Sequence, residues 1–399
     1  MLNLDKTKTY LLACSYGPDS MALFDMLIKE KVLFEVAHVN YHLRNESNDE
    51  EASLRAYCDE KNIKIHVLDV QEKIESNIEA RCRLIRYHFF SKLFKENKYE
   101  AVLVAHHQDD LIETYLLQKD RKNLVNYFGI AEKTIINNTP IVRPLLGYTK
   151  NDLLSYCDAN KIPYSIDQTN LIPMYKRNKI RIEIVTKLTK EERMSILSEI
   201  NGKNQELNAI FEKIDTVTNI IEDLLKLSDV ELSYYLYRKV SAIESSYKLT
   251  HKCVKEVKQI LLSNKPNITL LLGKKTKITK EYNRLIISKR DFSNGYSFSI
   301  SNPCEIDNEF FYLNFLGDAS NRNVKSDDYP LTIRTYQKGD RYYIKDYAVQ
   351  VRRLYIDWKM PMSLRKRWPI IVNKDNRIIY IPRYRTDFHF EEVPNFYVK

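Results

Sequence analysis

Short apolar runs alternate with amphipathic stretches through the first half of the chain: Tyr10–Cys14, Ser20–Lys31, Phe34–Asn40, Asp49–Asn62 and Ile63–Asp69, then Asn77–Asn97, Ala101–Ala105 and Gln108–Gln118. The compact runs predict strands, and the stretches with apolar residues at three- and four-residue spacing predict helices. Strands alternating with helices imply a parallel sheet covered on both faces. Ligands of such sheets bind beyond the C-terminal strand ends. The loop Ser15–Ser20, the segment from Asn40 and the cluster His106–Asp110 each follow a predicted strand, so all three are expected to converge on one crevice. From about Lys187 to Lys258 the pattern is helical, and from Ile268 onward runs such as Ile268–Leu272, Leu285–Ser288, Leu331–Thr335 and Ile370–Val372 predict short strands. Three regions are therefore expected: residues 1–190 as an α/β domain, 191–300 as a mainly helical second domain, and 301–399 as an α+β module.

The length of 399 residues fits more than one domain, each with its own core. With 8 glycines, 28 tyrosines and abundant Lys, Asn and Ile, the composition follows A+T-rich codons, so part of the lysine excess is uninformative. The net charge of +10 and pI near 9.0 still favour a polyanionic partner such as nucleic acid. Cys14, Cys58, Cys82, Cys157, Cys253 and Cys304 are scattered without a CxxC pair and read as buried thiols of a reducing cytoplasm. Asp5 and Lys6 precede only a very short apolar run, which does not read as a signal peptide. No segment approaches the roughly 18 apolar residues of a membrane span.

Candidate chemistry starts at Leu11–Ser20, an apolar strand, a small polar turn and the opening of a helix. Such a turn aims backbone N–H groups at a ligand, and the helix adds its positive dipole end, which suits a polyphosphate. Ser15 and Ser20 add hydroxyls, while Asp19 suits Mg²⁺ bridging phosphates; a plain strand-to-helix turn with an Asp cap is the structural alternative. In His106-His107-Gln108-Asp109-Asp110, followed by Glu113 and Thr114, three carboxylates could hold Mg²⁺ or orient a base; a charged helix start that stabilises the dipole is the structural alternative. Zinc is disfavoured, because no complementary Cys/His set stands at ligand spacing. In Asn77–Tyr87, Arg83 and Arg86 share nearly one helical face, with Glu79 one turn before Arg83, placed to grip phosphate or to form a solvated face with ion pairs.

Beside these stand Ala37–Arg44 followed by Asp49-Glu50, and Asp167-Gln168-Thr169-Asn170 followed by Tyr175–Arg181. Together the five segments resemble the tRNA(Ile)-lysidine synthetase family of N-type ATP pyrophosphatases, whose loop reads SGGxDS. Arg143-Pro144-Leu145-Leu146 extends the resemblance, and Lys338-Gly339-Asp340-Arg341 with Arg353–Pro361 resembles the family's C-terminal tRNA-contacting domain. The fold implied is a parallel-sheet ATP pyrophosphatase domain of the adenine nucleotide alpha hydrolase type, then a helical middle and an α+β C-terminal domain.

The resemblance implies a ligase. ATP adenylates the oxygen on carbon 2 of the first anticodon cytidine of tRNA(Ile) with a CAU anticodon, pyrophosphate leaves, and free L-lysine displaces AMP to give lysidine. Codon reading changes from AUG to AUA and charging from Met to Ile. It implies ATP and Mg²⁺ as cofactors, a homodimer as a possible assembly, and these roles: Ser15, Tyr16, Gly17, Pro18, Asp19 and Ser20 at the phosphates, with His38 and Asn40 near adenine and ribose. Asp19 and Asp110 would hold the metal, Glu113 would orient the metal or the lysine ammonium, and Arg86 would contact phosphate or tRNA. Arg341, Arg352, Arg353, Lys359, Arg365 and Arg367 would contact tRNA, while Trp358 and Trp368 suit either base stacking or a core.

One departure matters: Tyr16 replaces the first glycine of the loop pair, and Pro18 has no N–H to offer. The loop is expected either to be looser or to turn the Tyr16 ring away from the nucleotide, with weaker ATP binding than in a Tyr16→Gly variant. A tRNA thiolase on the same loop and a catalytically inactive tRNA-binding relative are the alternatives.

Overall fold

The computed structural model describes residues 2–72, 77–166, 176–290, 295–316, 324–344, 347–382, 384 and 396–398. The Asp167–Asn170 segment and Tyr175 lie outside the described residues. The chain divides into two compact units, 1–212 and 213–399.

The first unit runs β1 (Thr9–Ala13), α1 (Pro18–Lys29), β2 (Leu33–Asn40), α2 (Ser47–Glu60), β3 (Ile65–Asp69), α3 (Ile78–Asn97), β4 (Val102–Val104) and α4 (Gln108–Arg121). A hairpin of β5 (Lys133–Ile136) and β6 (Thr139–Val142) follows, then α5 (Lys150–Ala159), α6 (Lys176–Glu183) and α7 (Lys190–Asp215), which crosses the boundary between the units. The sheet order is β3-β2-β1-β4-β6-β5, parallel except at the β5–β6 edge.

Strand periodicity builds two cores. Leu12, Val36 and Leu103 face α1 and α2 with Phe24 and Leu54, whereas their neighbours Leu11, Ala37 and Val102 face α3 with Phe90. Both layers are apolar, which is why these strands read as continuous hydrophobic runs. Because β2 and β4 lie on opposite sides of β1, the order in which parallel strands are added reverses at β1, and the loops after β1 and β4 open a crevice there. The β5–β6 hairpin was not expected from the pattern. Its turn is Asn137-Asn138 at φ 51° and 59°, the left-handed pair that Asn tolerates in a tight hairpin.

The second unit contains α8 (Ile221–Leu225), α9 (Asp229–Ile243) and α10 (His251–Leu262), then an antiparallel sheet of β7 (Asn267–Leu272), β8 (Thr276–Glu281) and β9 (Arg284–Lys289). Residues 191–300 are thus helical only through Leu262. A six-stranded sheet follows, ordered β10-β13-β16-β17-β14-β15, where β10 is Ser297–Ile300, β13 Leu331–Thr335, β14 Arg341–Ile344, β15 Tyr347–Gln350, β16 Pro369–Val372 and β17 Ile378–Tyr380. A small sheet of β11 (Glu305–Asp307), β12 (Phe311–Asn314) and β18 (Phe396–Val398) and two short helices, α11 (Val351–Asp357) and α12 (Met362–Arg365), complete it. Trp368 packs in the core with its Nε1–H donated to the Pro382 carbonyl at 2.7 Å, and Trp358 is partly buried against the same cluster, so both tryptophans are core residues. Among the described residues no helix is long and apolar enough to cross a membrane.

Candidate active site

Two cavities meet at the C-terminal ends of β1, β2 and β4. One of about 440 Å³ is lined by Ala13–Ser15, Asp19, Ser20, His38, Asn40, Arg83, Arg86 and His106. The other, about 570 Å³, is lined by Gly17, Pro18, His107, Asp109, Lys150, Ser165, Arg181 and Arg193. Ser15, Asp19, Arg44, Glu50 and Asp110 line both. The three segments expected to converge do so here.

The phosphate-loop residues divide by task. Ser15 is exposed, while Ser20 is 4% exposed. The Ser20 hydroxyl accepts the Ser15 N–H at 3.2 Å and donates to the Gly17 carbonyl at 2.9 Å, fixing the loop's shape. Pro18 is the first residue of α1, where a missing N–H costs least. The first-turn N–H groups of Asp19 and Ser20 have no partner within the helix. Tyr16, expected among the nucleotide contacts, lines neither cavity with its ring. It sits at φ 63° with the ring packed in the first core, 9% exposed, while its carbonyl accepts the Ser165 N–H at 3.0 Å. Left-handed backbone costs a non-glycine residue about 1 kcal/mol, and burying an aromatic side chain returns about 2 kcal/mol, so burial wins. Gly17, by contrast, has φ −78°.

His38 and Asn40 line the first cavity but are committed to structure. The His38 Nδ1–H donates to the Cys14 carbonyl at 2.9 Å, and burial pushes its pKa down, so the ring is neutral. Asn40 donates to Asn48 Oδ1 and Glu51 Oε2, both at 3.0 Å, and accepts the His42 N–H, bracing the segment after β2. Arg86 is exposed at the cavity wall, with Nε 3.3 Å from the Tyr41 hydroxyl.

The carboxylates form a charged lattice. Asp19 Oδ1 accepts from Lys150 Nζ at 2.7 Å. Asp110 Oδ2 accepts the His107 N–H at 3.1 Å, closing the start of α4, and its Oδ1 accepts from Arg177 at 3.0 Å. Burial raises the Asp110 pKa, but the charges of His107, His106 and Arg177 and the His107 N–H outweigh it, holding this carboxyl below its ordinary range. Glu113 is fully buried and lines neither cavity. Its two oxygens accept from Arg177 Nε at 2.9 Å and from Arg181 at 2.5 and 3.0 Å. It acts on the cavity only through these arginines.

The sequence reading assigned no role to Lys150, Arg177, Arg181, Arg193 or the Arg44–Glu50 pair at 2.8 Å. Arg177 and Arg181 were visible inside the Tyr175–Arg181 segment at i, i+4 spacing, the signal that one helix face carries both. His106 and Arg143 form a further pair: Arg143 Nε donates to His106 Nδ1 at 3.0 Å and its other arm to the Ala131 carbonyl at 2.7 Å.

Asp19 Oδ2 and Asp110 Oδ2 face His107 Nε2 from 3.7 and 3.5 Å, beyond hydrogen-bond length. Two such hard oxygens fit Mg²⁺ whose remaining ligands are phosphate and water. Among the described residues no three His, Cys, Asp or Glu side chains are arranged to hold a metal by themselves, so the phosphates would have to share it.

In the second unit Arg352, Lys359 and Arg365 line one cleft. Arg341 on β14, Arg353 near Asp357 at 3.9 Å, and Arg367 do not line it.

Fold and site define a PP-loop ATP-using domain joined to a basic C-terminal unit. A family model described as "PP-loop domain" matches residues 1–188, and one described as "TilS substrate C-terminal domain" matches 331–395. The chain is 30% identical over 372 residues to the tRNA(Ile)-lysidine synthase of Mesoplasma florum, covering 86% of this chain and 92% of that one. It is 29% identical over 396 residues to that of Mycoplasma mycoides, covering 95% and 98%, and 28% identical over 442 residues to that of Bacillus licheniformis, covering 96% and 90%. The chain belongs to the tRNA(Ile)-lysidine synthase family.

Two predictions follow from the geometry. Tyr16→Ala removes the buried ring and keeps the left-handed backbone without glycine's freedom, so it should cost about 3 kcal/mol, and Tyr16→Gly about 1 kcal/mol less. Urea unfolding ranks them, and an alanine variant as stable as the glycine variant contradicts the strain assignment. His106 titrates at about 4 instead of 6.5, because burial disfavours its charged form and Arg143 sits beside it. The folded state then binds fewer protons than the unfolded state in this window, so stability falls as pH drops from 6.5 toward 4, by on the order of 3 kcal/mol from this group. His106→Asn, which keeps an acceptor for Arg143, should flatten that loss in unfolding curves taken at pH 7 and pH 5; an unchanged acid slope refutes it.

Proposed function

We propose that this chain carries out ATP-dependent lysidine formation on tRNA(Ile) in the paired cavities at the C-terminal ends of β1, β2 and β4. The observation that carries this reading is the junction of the two cavities: Ser15, Asp19 and Asp110 are common to both. ATP bound along the loop in one cavity would therefore present its reacting phosphorus to groups approaching from the other.

The loop N–H groups, the Ser15 hydroxyl and the N-terminus of α1 hold phosphate oxygens. Asp19 and Asp110 would hold Mg²⁺, which when bound offsets phosphate charge. The oxygen on carbon 2 of the cytidine attacks the α-phosphorus, and its bond to pyrophosphate breaks. The amine of free lysine then attacks carbon 2, AMP leaves with the oxygen, and the amine gives up its proton. Activation is required because a ring carbonyl oxygen is a poor leaving group. Arg86, exposed on the wall of the first cavity, is placed to meet phosphate or the tRNA strand. Lys150 and Arg181 at the second cavity balance the carboxylates until the substrates arrive.

A thiolase is not favoured. Five of the six cysteines are buried, and burial pushes the thiols of Cys14, Cys58, Cys82, Cys157 and Cys304 up, away from the reactive thiolate. These reduced, buried thiols agree with a cytoplasmic setting.

Radiolabelled lysine should enter tRNA(Ile) with a CAU anticodon only when ATP and Mg²⁺ are present, and should not enter methionine tRNA. tRNA binding without labelling would leave an inactive binder. Asp110→Ala should lower AMP–tRNA formation by at least a hundredfold while tRNA binding persists; unchanged adenylation contradicts the metal role.

A further inference from the structure

Arg143, the residue after β6, is a guanidinium only 4% exposed, and it forms no ion pair among the described residues. A cation held out of water without a carboxylate is costly unless its hydrogen bonds are made. One arm donates to the Ala131 carbonyl at 2.7 Å, Nε donates to His106 Nδ1 at 3.0 Å, and the backbone N–H donates to the Glu132 carbonyl at 2.9 Å. Side chain and main chain are thus both anchored to the segment that leads into β5. The bond to His106 fixes the imidazole. A guanidinium has donors only, so Nδ1 accepts and carries no proton, and the neutral ring holds its hydrogen on Nε2. Burial, with Arg143 beside the ring, pushes the His106 pKa down to about 4, which keeps it neutral.

With Nδ1 turned to the buried Arg143, the opposite edge of the ring is the one that meets the first cavity, whose wall His106 forms in part. The Nε2–H has no acceptor among the described residues. The charged groups facing the ring are Asp110 on α4, Arg177 on α6, Arg83 on α3 and Arg143 itself. Asp110 is already paired with Arg177 at 3.0 Å. Arg83 and Arg86, on the same cavity wall, lie over the rings of Tyr87 and Tyr41 and form no ion pair among the described residues. Uncompensated positive charge therefore surrounds the Nε2–H, and an anionic oxygen is the acceptor that relieves it. The cation on the far side of the ring also strengthens Nε2–H as a donor.

We propose that Arg143 is a positioning residue that locks His106 in the Nε2–H tautomer, and that His106 donates this hydrogen to the α-phosphoryl group of the nucleotide, an assignment that rests on the ATP reading of the paired cavities. His106 stands four residues before Asp110, which lines both cavities, so the donor lies beside the junction where the reacting phosphorus is expected. The α-phosphoryl group is the part of ATP that remains through both steps, first on the cytidine oxygen and then in AMP. One fixed donor thus serves adenylation and the departure of AMP. The same tautomer excludes His106 as the base that takes the proton from the lysine amine, because its single basic nitrogen is occupied by Arg143.

The test uses the full chain with AMP, adenosine and inorganic pyrophosphate, none of which requires tRNA or lysine. Spectra of the ¹⁵N-histidine-labelled chain at neutral pH should show His106 with its hydrogen on Nε2 and a lone pair on Nδ1, the signals being identified by their loss in His106→Asn. AMP should shift the Nε2–H signal, and adenosine should not. In calorimetry His106→Asn, which keeps an acceptor for Arg143 but lacks the outer donor, should weaken AMP about tenfold and leave adenosine and pyrophosphate unchanged. His106→Gln, whose amide reaches the Nε2 position, should recover part of that loss. Arg143→Met should mix the two tautomers, weaken AMP by a similar factor and add nothing further in the His106→Asn background. Thermal melting checks that each variant is folded, and the His106 variants decide the matter should Arg143→Met not fold. A wild-type ring protonated on Nδ1 overturns the positioning role. Adenosine or pyrophosphate weakened as much as AMP overturns the α-phosphoryl contact. AMP affinity unchanged in the variants, in a chain that still joins lysine to tRNA(Ile), overturns the inference and leaves the lysidine reading standing, whereas a wild-type chain that neither binds AMP nor labels tRNA overturns both.

Discussion

The first unit depends on one electrostatic constraint: Glu113 is a fully buried carboxylate, and an uncompensated charge there is not tolerable. Arg177 and Arg181 on α6 supply the balance, and the same two guanidiniums reach Asp110 one turn earlier on α4. Breaking such a pair on one side costs about 3–5 kcal/mol, because the surviving charge stays buried. The lattice therefore fixes where α6 meets α4. It also sets the resting orientation of Asp110, one of the carboxylates lining both cavities.

A second constraint governs the loop after β1. Its tight turn needs one left-handed residue, and in this chain that residue is Tyr16. The ring is seated in the core, and the carbonyl accepts from Ser165, whose hydroxyl donates to Glu50, itself paired with Arg44. The loop is thus tied to α2 and to the segment after α5. Glycine's freedom is replaced by packing and a hydrogen-bonded strut.

The parallel sheet was legible because both its faces are buried, which turns β1, β2 and β4 into plain apolar runs between amphipathic helices. The convergence of the Ser15–Ser20 loop, the segment from Asn40 and the His106–Asp110 cluster followed from that topology, whereas Arg86 was expected there only through the family resemblance. The β5–β6 hairpin was missed because four-residue strands carry little periodicity. Lys150 and the arginines of α6 were not assigned to the site, because partners 64 to 131 residues apart leave no mark in local spacing. The fates of His38, Asn40 and Ser20 depended on hydrogen bonds that a residue type does not reveal: each is at the cavity, yet each is spent on holding backbone in place.

A double-mutant cycle on AMP–tRNA formation, built from Glu113→Gln and Arg181→Gln, tests most directly whether this buried lattice organises the site. If the two side chains act as one unit, each single variant loses nearly as much rate as the pair, and the coupling energy exceeds about 2 kcal/mol. Losses that simply add would mean that Glu113 and Arg181 serve adenylation independently, and the account of α6 as the counter-charge that sets Asp110 would be wrong.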